Sequence, residues 1–373
     1  MRLHLFQDEK IINRTIFFFE KVYPGENKFV VVLPKNKIKC KYVNVDNTNV
    51  FVVHYNTEEF WRIIGQVNCY NEIIIHYLTD DMTLFLSKID HPNIYWIEWG
   101  GDLYNHLLRY KGFQLYYDDN LVAKMRKPRW PVFLYKLLDK FNVFIKAQKR
   151  IKVLHKIKYF LPDSMYDEYP MIINAYPQFK HLIYKDFFYY PLHEILGDLS
   201  NSLTRGSKII IGNSCSFTNN HIHVFNELKK IDVNNKIVVP LSYSGNQRYR
   251  EFLINKGEEL FGSRFEPVTE YMILAEYNNL LLSANVFIYG NLRQEAVGNI
   301  LIALYIGGSV FLDDNNPLLS FYKRLGLEIY PLSELTSQRI NSKLSYDKIM
   351  QNRQILEKYY SNERLEKIIK QNF

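Results

Sequence analysis

Short apolar runs alternate with helix-length stretches along the first half of the chain. Strands are predicted at 29–33 (FVVVL), 50–54 (VFVVH), 73–77 (IIIHY) and 93–99 (NIYWIEW). Stretches long enough for helices lie between several of them, such as 13–23 and 80–87. Strands and helices that alternate in this way indicate βαβ units and a mostly parallel sheet.

The same rhythm returns after residue 207. Strands are predicted at 208–211, 236–240, 286–289 and 309–312, and helices at 220–230, 247–256, 270–282 and 294–306. Gly257 is expected to end the second of these helices as a C-terminal stop. This half therefore predicts a doubly wound α/β domain.

A chain of 373 residues favours two domains, at about 100–200 residues each. We place an N-terminal domain at 1–200 and a C-terminal domain at 201–335. Residues 336–373 are charged and helical, and we expect them to pack back on the N-terminal domain.

A basic amphipathic stretch lies at 124–158, where twelve Lys and Arg residues accompany one acid, Asp139. Apolar residues recur there at steps of three, four or seven, which predicts a helix: Leu134, Leu137, Phe141, Phe144, Ile151, Leu154 and Ile157. Such a helix can lie on an anionic membrane, pack on the core with a solvated basic face, or bind nucleic acid. We favour the membrane, with these cations at the lipid headgroups: Lys136, Lys140, Lys146, Lys149, Arg150 and Lys152.

Composition adds a moderate constraint. The net charge is +8 and aromatic residues make up 16% of the chain, which suits anionic partners, although an AT-rich genome produces a similar bias. The three scattered cysteines form neither a disulfide framework nor a zinc motif, as expected in a reducing cytoplasm. We find no secretory leader and no apolar run of about 18 residues, so we expect a cytoplasmic, peripheral protein.

Candidate catalytic residues follow strands of the first half, where ligands bind in open α/β sheets. Asp102 and Glu98 lie in the loop at 95–104, and either carboxylate could deprotonate an acceptor hydroxyl. Asp102 could instead cap the helix that starts at Leu103. His76 ends the strand at 73–77 and could be a neutral base, a proton shuttle or a structural residue.

Two loops of the second half are candidates for binding a phosphorylated donor. Each follows a strand and opens a helix, whose N-terminal N–H groups and dipole favour phosphate, although ordinary helix capping would use the same residue types. The candidates are Gly212, Asn213, Ser214, Thr218, Asn220, His221, Arg293, Gln294, Gly298 and Asn299. Asp313 and Asp314 could suggest a metal, but a polar turn before Pro317 is the favoured interpretation, and no metal site is predicted.

Several segments, taken in order, resemble one known family. They are 13–15 (NRT), 99–104 (WGGDLY), 212–214 (GNS) with Asn220 and His221, 238–240 (VVP) with Tyr243, 257–261, Arg293 through Gly298, and Asn316 with Pro317. The chain thereby resembles the 4-acetamido-4,6-dideoxygalactose transferases of enterobacterial common antigen assembly. The segments at 99–104 and 212–221 are the most specific.

The resemblance implies a GT-B fold, in which two Rossmann-like domains face each other across a cleft. It implies a TDP-sugar donor in the C-terminal half, with Tyr243 and Asn316 added to the donor-binding set, and a polyprenyl-pyrophosphate-linked saccharide acceptor in the N-terminal half. It further implies no metal, no cofactor, and a location at the cytoplasmic face of the bacterial inner membrane. No nucleic-acid partner is expected, because the sequence contains no helix-turn-helix, zinc-finger or RNA-recognition signature. A UDP-sugar transferase and a non-catalytic sugar-nucleotide or lipid-surface binding protein stay open as alternatives.

Overall fold

The computed structural model describes residues 1–44, 48–163 and 165–373. It divides into two compact units. Unit 1 contains Met1–Phe113, Lys140–Pro191 and Asn362–Phe373, and unit 2 contains Gln114–Asp139 and Leu192–Ser361. The sequence placed 114–139 in the N-terminal domain, whereas the structure includes this segment in unit 2. Within the expected C-terminal segment 336–373, only Asn362–Phe373 belongs to unit 1.

Thirteen strands are found in the described part of the chain. They are β1 (Arg2–Phe6), β2 (Asn27–Leu33), β3 (Val50–His54), β4 (Glu72–His76), β5 (Ile94–Glu98), β6 (Tyr159–Pro162), β7 (Ile183–Tyr184), β8 (Lys208–Ile211), β9 (Ile237–Pro240), β10 (Phe265–Val268), β11 (Ala284–Tyr289), β12 (Ser309–Leu312) and β13 (Tyr330–Pro331). Unit 1 holds a sheet of order β3-β2-β1-β4-β5-β6-β7, and unit 2 one of order β10-β9-β8-β11-β12-β13.

The α-helices are α1 (Ile12–Val22), α2 (Glu58–Ile64), α3 (Asp80–Lys88), α4 (Asp119–Arg126), α5 (Val132–Leu154), α6 (Glu168–Ala175), α7 (Leu192–Leu196), α8 (His221–Lys229), α9 (Gln247–Phe261), α10 (Leu274–Leu282), α11 (Val297–Tyr305), α12 (Pro317–Arg324), α13 (Ser337–Asn341), α14 (Tyr346–Tyr359) and α15 (Asn362–Asn372). A π-helix spans Leu103–Leu108. Through 1–44, 48–163 and 165–373, no helix is long and apolar enough to cross a membrane.

Both sheets pair their named strands in parallel, which confirms the predicted α/β class with two Rossmann-like domains. Strand β11 is almost wholly apolar, and β4 contains three consecutive isoleucines, because helices cover parallel sheets on both faces. The central strand β1 is different, since it buries Arg2 and His4. Arg2 forms ion pairs with Glu26 and Glu72, which allow a charged side chain inside the unit.

The expected helix stop at Gly257 is wrong. Helix α9 continues to Phe261, and Gly262, with φ of 57°, follows it in the left-handed region. Gly257 lies inside the helix, where a β-carbon would come 2.2 Å from the ring of Phe265. The glycine therefore permits the close approach of α9 to β10.

The predicted amphipathic helix is α5, and its two halves differ. The second half buries apolar residues against unit 1, among them Val143, Ala147 and Val153. Arg150 is also buried there: its guanidinium donates to Oδ1 of Asp80 at 3.0 Å and to the carbonyl of Leu78 at 3.0 Å. Arg150 is therefore a structural cation, which corrects its assignment to a membrane-facing set.

Candidate functional site

The strand order of unit 2 reverses between β8 and β11, because the chain proceeds from β8 to β9 and β10 on one side and from β11 to β12 and β13 on the other. The carboxyl ends of two such strands diverge and leave a crevice, which is where open α/β sheets bind ligands. The loops at 212–220 and 290–296 follow these two strands. Both predicted donor-binding loops thus reach the same edge of one sheet.

The loop after β8 is folded by a buried amide, Asn219. Its Oδ1 accepts the N–H of Asn213 at 3.2 Å, and its Nδ2 donates to Oγ of Ser214 at 3.1 Å. Gly212 has φ of 68°, and a β-carbon there would lie 2.6 Å from the same Oδ1. The glycine is required by both its backbone conformation and this close contact.

Asn220 connects segments of unit 2, although the sequence suggested donor contact. It adopts the left-handed conformation before α8, its Nδ2 donates to the carbonyl of Gly290 at 2.9 Å, and its Oδ1 accepts the N–H of Tyr117 at 3.1 Å. His221 is also buried, and burial lowers its pKa to about 3, so the ring is neutral. In the first turn of α8, His221 is therefore enclosed by protein, whereas Ile222 and His223 are partly exposed. Ser214 and Thr218 of the preceding loop are buried.

The loop after β11 contains a buried amide whose hydrogen bonds are not made. The side chain of Asn291 is inaccessible to solvent, and neither its Oδ1 nor its Nδ2 has a hydrogen-bond partner in the described ranges. An unsatisfied buried amide costs about 1–3 kcal/mol, so such a group calls for an explanation. The amide of Asn291 therefore marks the loop after β11 as a candidate position for a polar ligand.

Arg293 and Asn316 shape this loop. One guanidinium nitrogen of Arg293 lies 3.1 Å from Oε2 of Glu295. The Glu295 carboxylate therefore balances part of the positive charge of Arg293, which was predicted to bind the phosphates of a donor. Asn316 donates to the carbonyls of Asn291 and Arg293, and its Oδ1 accepts the N–H of Leu318 at the start of α12. Asn316 therefore holds the loop in place; Gln294 beside it is buried.

Helix α11 begins at the end of the same loop. Ala296 precedes it with φ of 62°, and apart from the chain neighbours of Gly298 and the backbone of α11 itself, no described atom lies within 4 Å of the position that a β-carbon of Gly298 would occupy. Space is therefore open at the first turn, where free N–H groups and the helix dipole favour phosphate. Asn299, one residue on, instead accepts the hydroxyl of Tyr277 at 2.6 Å.

Two further positions that the sequence analysis singled out, Tyr243 and the aspartates at 313–314, follow the strands that flank β8 and β11 in the same sheet. Tyr243, which follows β9, is 71% exposed and can receive a planar ligand. The two aspartates after β12 are engaged by the chain: Asp313 accepts the hydroxyl of Tyr117 at 2.8 Å, and Asp314 accepts the N–H of Ser333 at 2.9 Å. This is the expected polar turn.

Unit 2 contains an aromatic pocket that was not predicted from the sequence. Tyr117 stacks on His223 with ring centroids 3.7 Å apart, and its hydroxyl binds Asp313. A cavity of about 230 Å³ lies beside this pair, lined also by Phe217 and Tyr249. The lining residues come from two stretches, 116–122 and 217–249, that are about 100 residues apart in the sequence. No local motif therefore predicts the pocket, and the aromatic-acidic run at 116–119 (YYDD) is the available signal.

In unit 1, Asp102 is fully buried and accepts three hydrogen bonds. Its carboxylate accepts the N–H of Leu78 at 2.7 Å, the indole N–H of Trp96 at 2.7 Å and the N–H of Trp99 at 3.1 Å. Its side chain makes no capping bond to the helix that follows. Asp102 thus ties together the loops after β4 and β5, and its role as a base stays a prediction.

Glu98 has a buried acidic neighbour, Glu168 of α6, which the sequence reading did not single out. Burial and the neighbouring Glu168 raise the pKa of Glu98 well above the ordinary value. Burial raises the pKa of Glu168 to about 8. The pair therefore retains a proton at neutral pH, while an oxygen of Glu98 accepts the N–H of Gly100.

His76 belongs to a buried polar chain. Its Nε2 lies 3.1 Å from Nδ1 of His4, and its Nδ1 lies 2.6 Å from the hydroxyl of Tyr189. Burial lowers the pKa of His76 to about 3, so the ring is neutral at physiological pH. This geometry fits a structural histidine better than one that receives a proton from substrate.

A more accessible carboxylate follows β1. Asp8 is occupied by the N–H groups of Lys41, Tyr42 and Val43, whereas the next residue, Glu9, is partly exposed. Burial raises the pKa of Glu9 above its ordinary value. Glu9 thus combines contact with solvent and a raised pKa at the ligand-binding edge of the sheet, as a general base requires.

Known proteins match both the fold and part of the sequence. Three solved structures align with 100% of this chain over 98% of their own length. They are an E. coli trehalose-6-phosphate structure bound with UDP-2-fluoro glucose (TM-score 0.65, 9% identity), sucrose-phosphate synthase from Thermosynechococcus elongatus (TM-score 0.64, 10% identity) and Anabaena Alr3699/HepE in complex with UDP and glucose (TM-score 0.59, 10% identity). The chain has the GT-B fold.

A family model adds information on the reaction class. The model of 4-alpha-L-fucosyltransferase, glycosyl transferase group 56, matches residues 173–357. This range includes both crevice loops of the GT-B C-terminal unit. The match and the fold together support a glycosyltransferase, while the particular sugar of the predicted resemblance stays open.

The Glu98–Glu168 pair of this GT-B protein predicts a pH effect. The folded pair holds a proton that the unfolded chain releases near the ordinary glutamate pKa, so stability is full at acidic pH and falls as pH rises towards about 8. We expect the melting temperature of Glu168→Gln to fall less than that of wild type between pH 6 and 9. Glu258→Gln, at an exposed acid on α9, should behave as wild type. An unchanged dependence of melting temperature on pH in Glu168→Gln would show that Glu168 does not contribute to this proton uptake.

Proposed function

We propose that the protein transfers a 4-acetamido-4,6-dideoxyhexose, or a similar amino-deoxy sugar, from a TDP-sugar to a polyprenyl-pyrophosphate-linked saccharide in surface polysaccharide synthesis. The observation that carries the donor site is the unsatisfied buried amide of Asn291, followed along one loop by the open first turn of α11. The family match supports the sugar class, because fucose, like the proposed sugar, is a 6-deoxyhexose.

In this proposal the diphosphate of the donor binds the N–H groups of the first turn of α11, with Arg293 beside it. A bond forms from the acceptor oxygen to the anomeric carbon, and the bond from that carbon to the diphosphate oxygen breaks. Negative charge grows on the departing TDP, where fixed N–H dipoles and the guanidinium stabilise it. This arrangement requires no metal ion.

The proton of the acceptor hydroxyl needs a destination, and we assign it to Glu9. Asp102 is less suited, because its three hydrogen bonds leave it without access to solvent. Glu9 is partly exposed, and its raised pKa makes it a stronger base than an ordinary glutamate. Unit 1 would then hold the saccharide acceptor.

Thermal denaturation with TDP, UDP, GDP and CMP tests the donor. At 100 times the dissociation constant, a bound nucleotide contributes about 2.7 kcal/mol of stability. TDP is therefore expected to raise the melting temperature by about 5 °C or more, and further than the others.

The matched variant is Gly298→Glu. Its side chain would enter open space in the first turn of α11, where a carboxylate suits the helix dipole but repels a phosphate. We expect it to fold as wild type and to lose the TDP shift. A full TDP shift in this variant would place the diphosphate elsewhere.

A UDP-sugar donor is the second candidate, because the E. coli and Anabaena structures hold UDP or a UDP-sugar. A larger shift with UDP than with TDP would favour it. Slow release of TDP from a TDP-sugar in the absence of acceptor would distinguish a transferase from a non-catalytic binding protein, which would retain the sugar-nucleotide intact.

A further inference from the structure

Helix α5 exposes a stripe of large apolar side chains in its first half. Phe133 is 73% exposed, Leu137 62% and Phe141 59%, and Phe144 is exposed as well. Successive members are four, four and three residues apart, so they lie on one face of the helix. We call these four residues the apolar stripe.

The stripe is not explained by the packing of the helix itself. The buried residues of α5 occupy another face, at Val143, Ala147, Val153 and Leu154. Single exposed apolar residues are ordinary, but a contiguous row of three phenylalanines and a leucine marks an interaction surface.

The charges around the stripe indicate the partner. Lys140, Lys149 and Lys152 of the same helix are exposed, and so are Lys124, Lys127 and Arg129 shortly before it. Asp139 is the one acid between residues 124 and 158. A partner that fits this helix must therefore combine an apolar layer with negative charge.

We infer that the exposed face of α5 binds an anionic lipid bilayer, with the apolar stripe at the boundary between headgroups and acyl chains and the lysines at the headgroups. This geometry is that of an interfacial helix, which lies in the plane of the membrane. Each cation near such a surface strengthens binding by about fivefold. The inference does not depend on the proposed transfer reaction.

Flotation with lipid vesicles tests this inference on the full chain. Vesicles of phosphatidylcholine with 30% phosphatidylglycerol should carry the wild-type protein upwards at low salt, and pure phosphatidylcholine vesicles should carry much less. The variant Phe133→Ser/Leu137→Ser/Phe141→Ser is expected to bind at least 100-fold more weakly, because it removes most of the inserted apolar surface. Higher salt should weaken wild-type binding by screening the lysines.

The matched control is Leu84→Ser/Leu274→Ser/Tyr346→Ser, at three exposed large apolar residues outside α5. It should float as wild type does. Both variants should keep the wild-type melting temperature, since all six side chains are exposed; the single variant Phe133→Glu provides an independent readout with less change to the protein.

Three results would overturn the inference. One is wild-type protein that stays at the bottom of the gradient with anionic vesicles. Another is equal flotation of wild type, Phe133→Glu and the stripe variant. The third is a dimer in solution that the stripe variant converts to a monomer without any loss of vesicle binding, which would assign the stripe to a second copy of the chain.

Discussion

Asp102→Asn is expected to lower the free energy of unfolding by about 2–4 kcal/mol, because an amide cannot accept all three N–H groups that the carboxylate accepts. One of the donors, on Leu78, Trp96 or Trp99, would face an amide N–H instead. Denaturant unfolding and the melting temperature measure this loss. A variant that keeps wild-type stability but loses turnover would instead restore Asp102 as the base.

The matched control lies four residues earlier, at the end of β5, and is equally buried. Glu98→Gln replaces a group that belongs to a protonated pair, so a neutral amide of similar shape should cost much less than Asp102→Asn at neutral pH. Equal destabilisation by both substitutions would show that burial alone, and not ionisation, determines the effect.

The second large effect is expected at Glu9. If it accepts the acceptor proton, Glu9→Gln should reduce kcat by about 10²–10⁴. The melting temperature and the TDP-induced shift should change little, since the carboxylate is partly exposed and belongs to unit 1. Steady-state kinetics with a TDP-sugar and a lipid-linked saccharide measure it.

The dependence of kcat on pH distinguishes a general base from a residue that only contacts the substrate. Burial raises the pKa of Glu9, so wild-type kcat should fall as pH drops through a value above that of an ordinary glutamate, and this limb should vanish in Glu9→Gln. Asp81→Asn, at another partly exposed carboxylate that follows a strand of the same sheet, should keep both rate and profile. Full activity of Glu9→Gln, with TDP binding intact, would reject Glu9 as the base without contradicting the proposed donor site.

The sequence predicted most of the apolar strands, although not β6, and it missed two strands in which polar residues or proline have a particular cause. β3 and β8 were placed at their observed bounds. β1 was missed because His4 and Arg2 interrupt its apolar run, and their partners come from β2, β4 and the residue before β2. β10 contains Pro267, which an edge strand tolerates and which hid it from pattern analysis.

The places of the candidate catalytic residues relative to the strands were predicted, but their surroundings were not. His76, Glu98 and Asp102 were expected at the carboxyl ends of strands and are found there. Their burial depends on distant residues, such as Tyr189 for His76 and Glu168 for Glu98, which no local spacing reveals. The same holds for Asn220, whose amide is occupied by Gly290 and Tyr117.

The composition of unit 2 has a consequence for attempts to isolate it. The family match at 173–357 includes the crevice loops but omits the segment 114–139 that also belongs to this unit. A fragment cut at residue 192 would lack Tyr117, and with it a bond to Asn220 and one wall of the aromatic pocket. Unit 2 is therefore not excisable as one continuous piece: a folded minidomain would need both stretches, joined by a designed linker or by circular permutation.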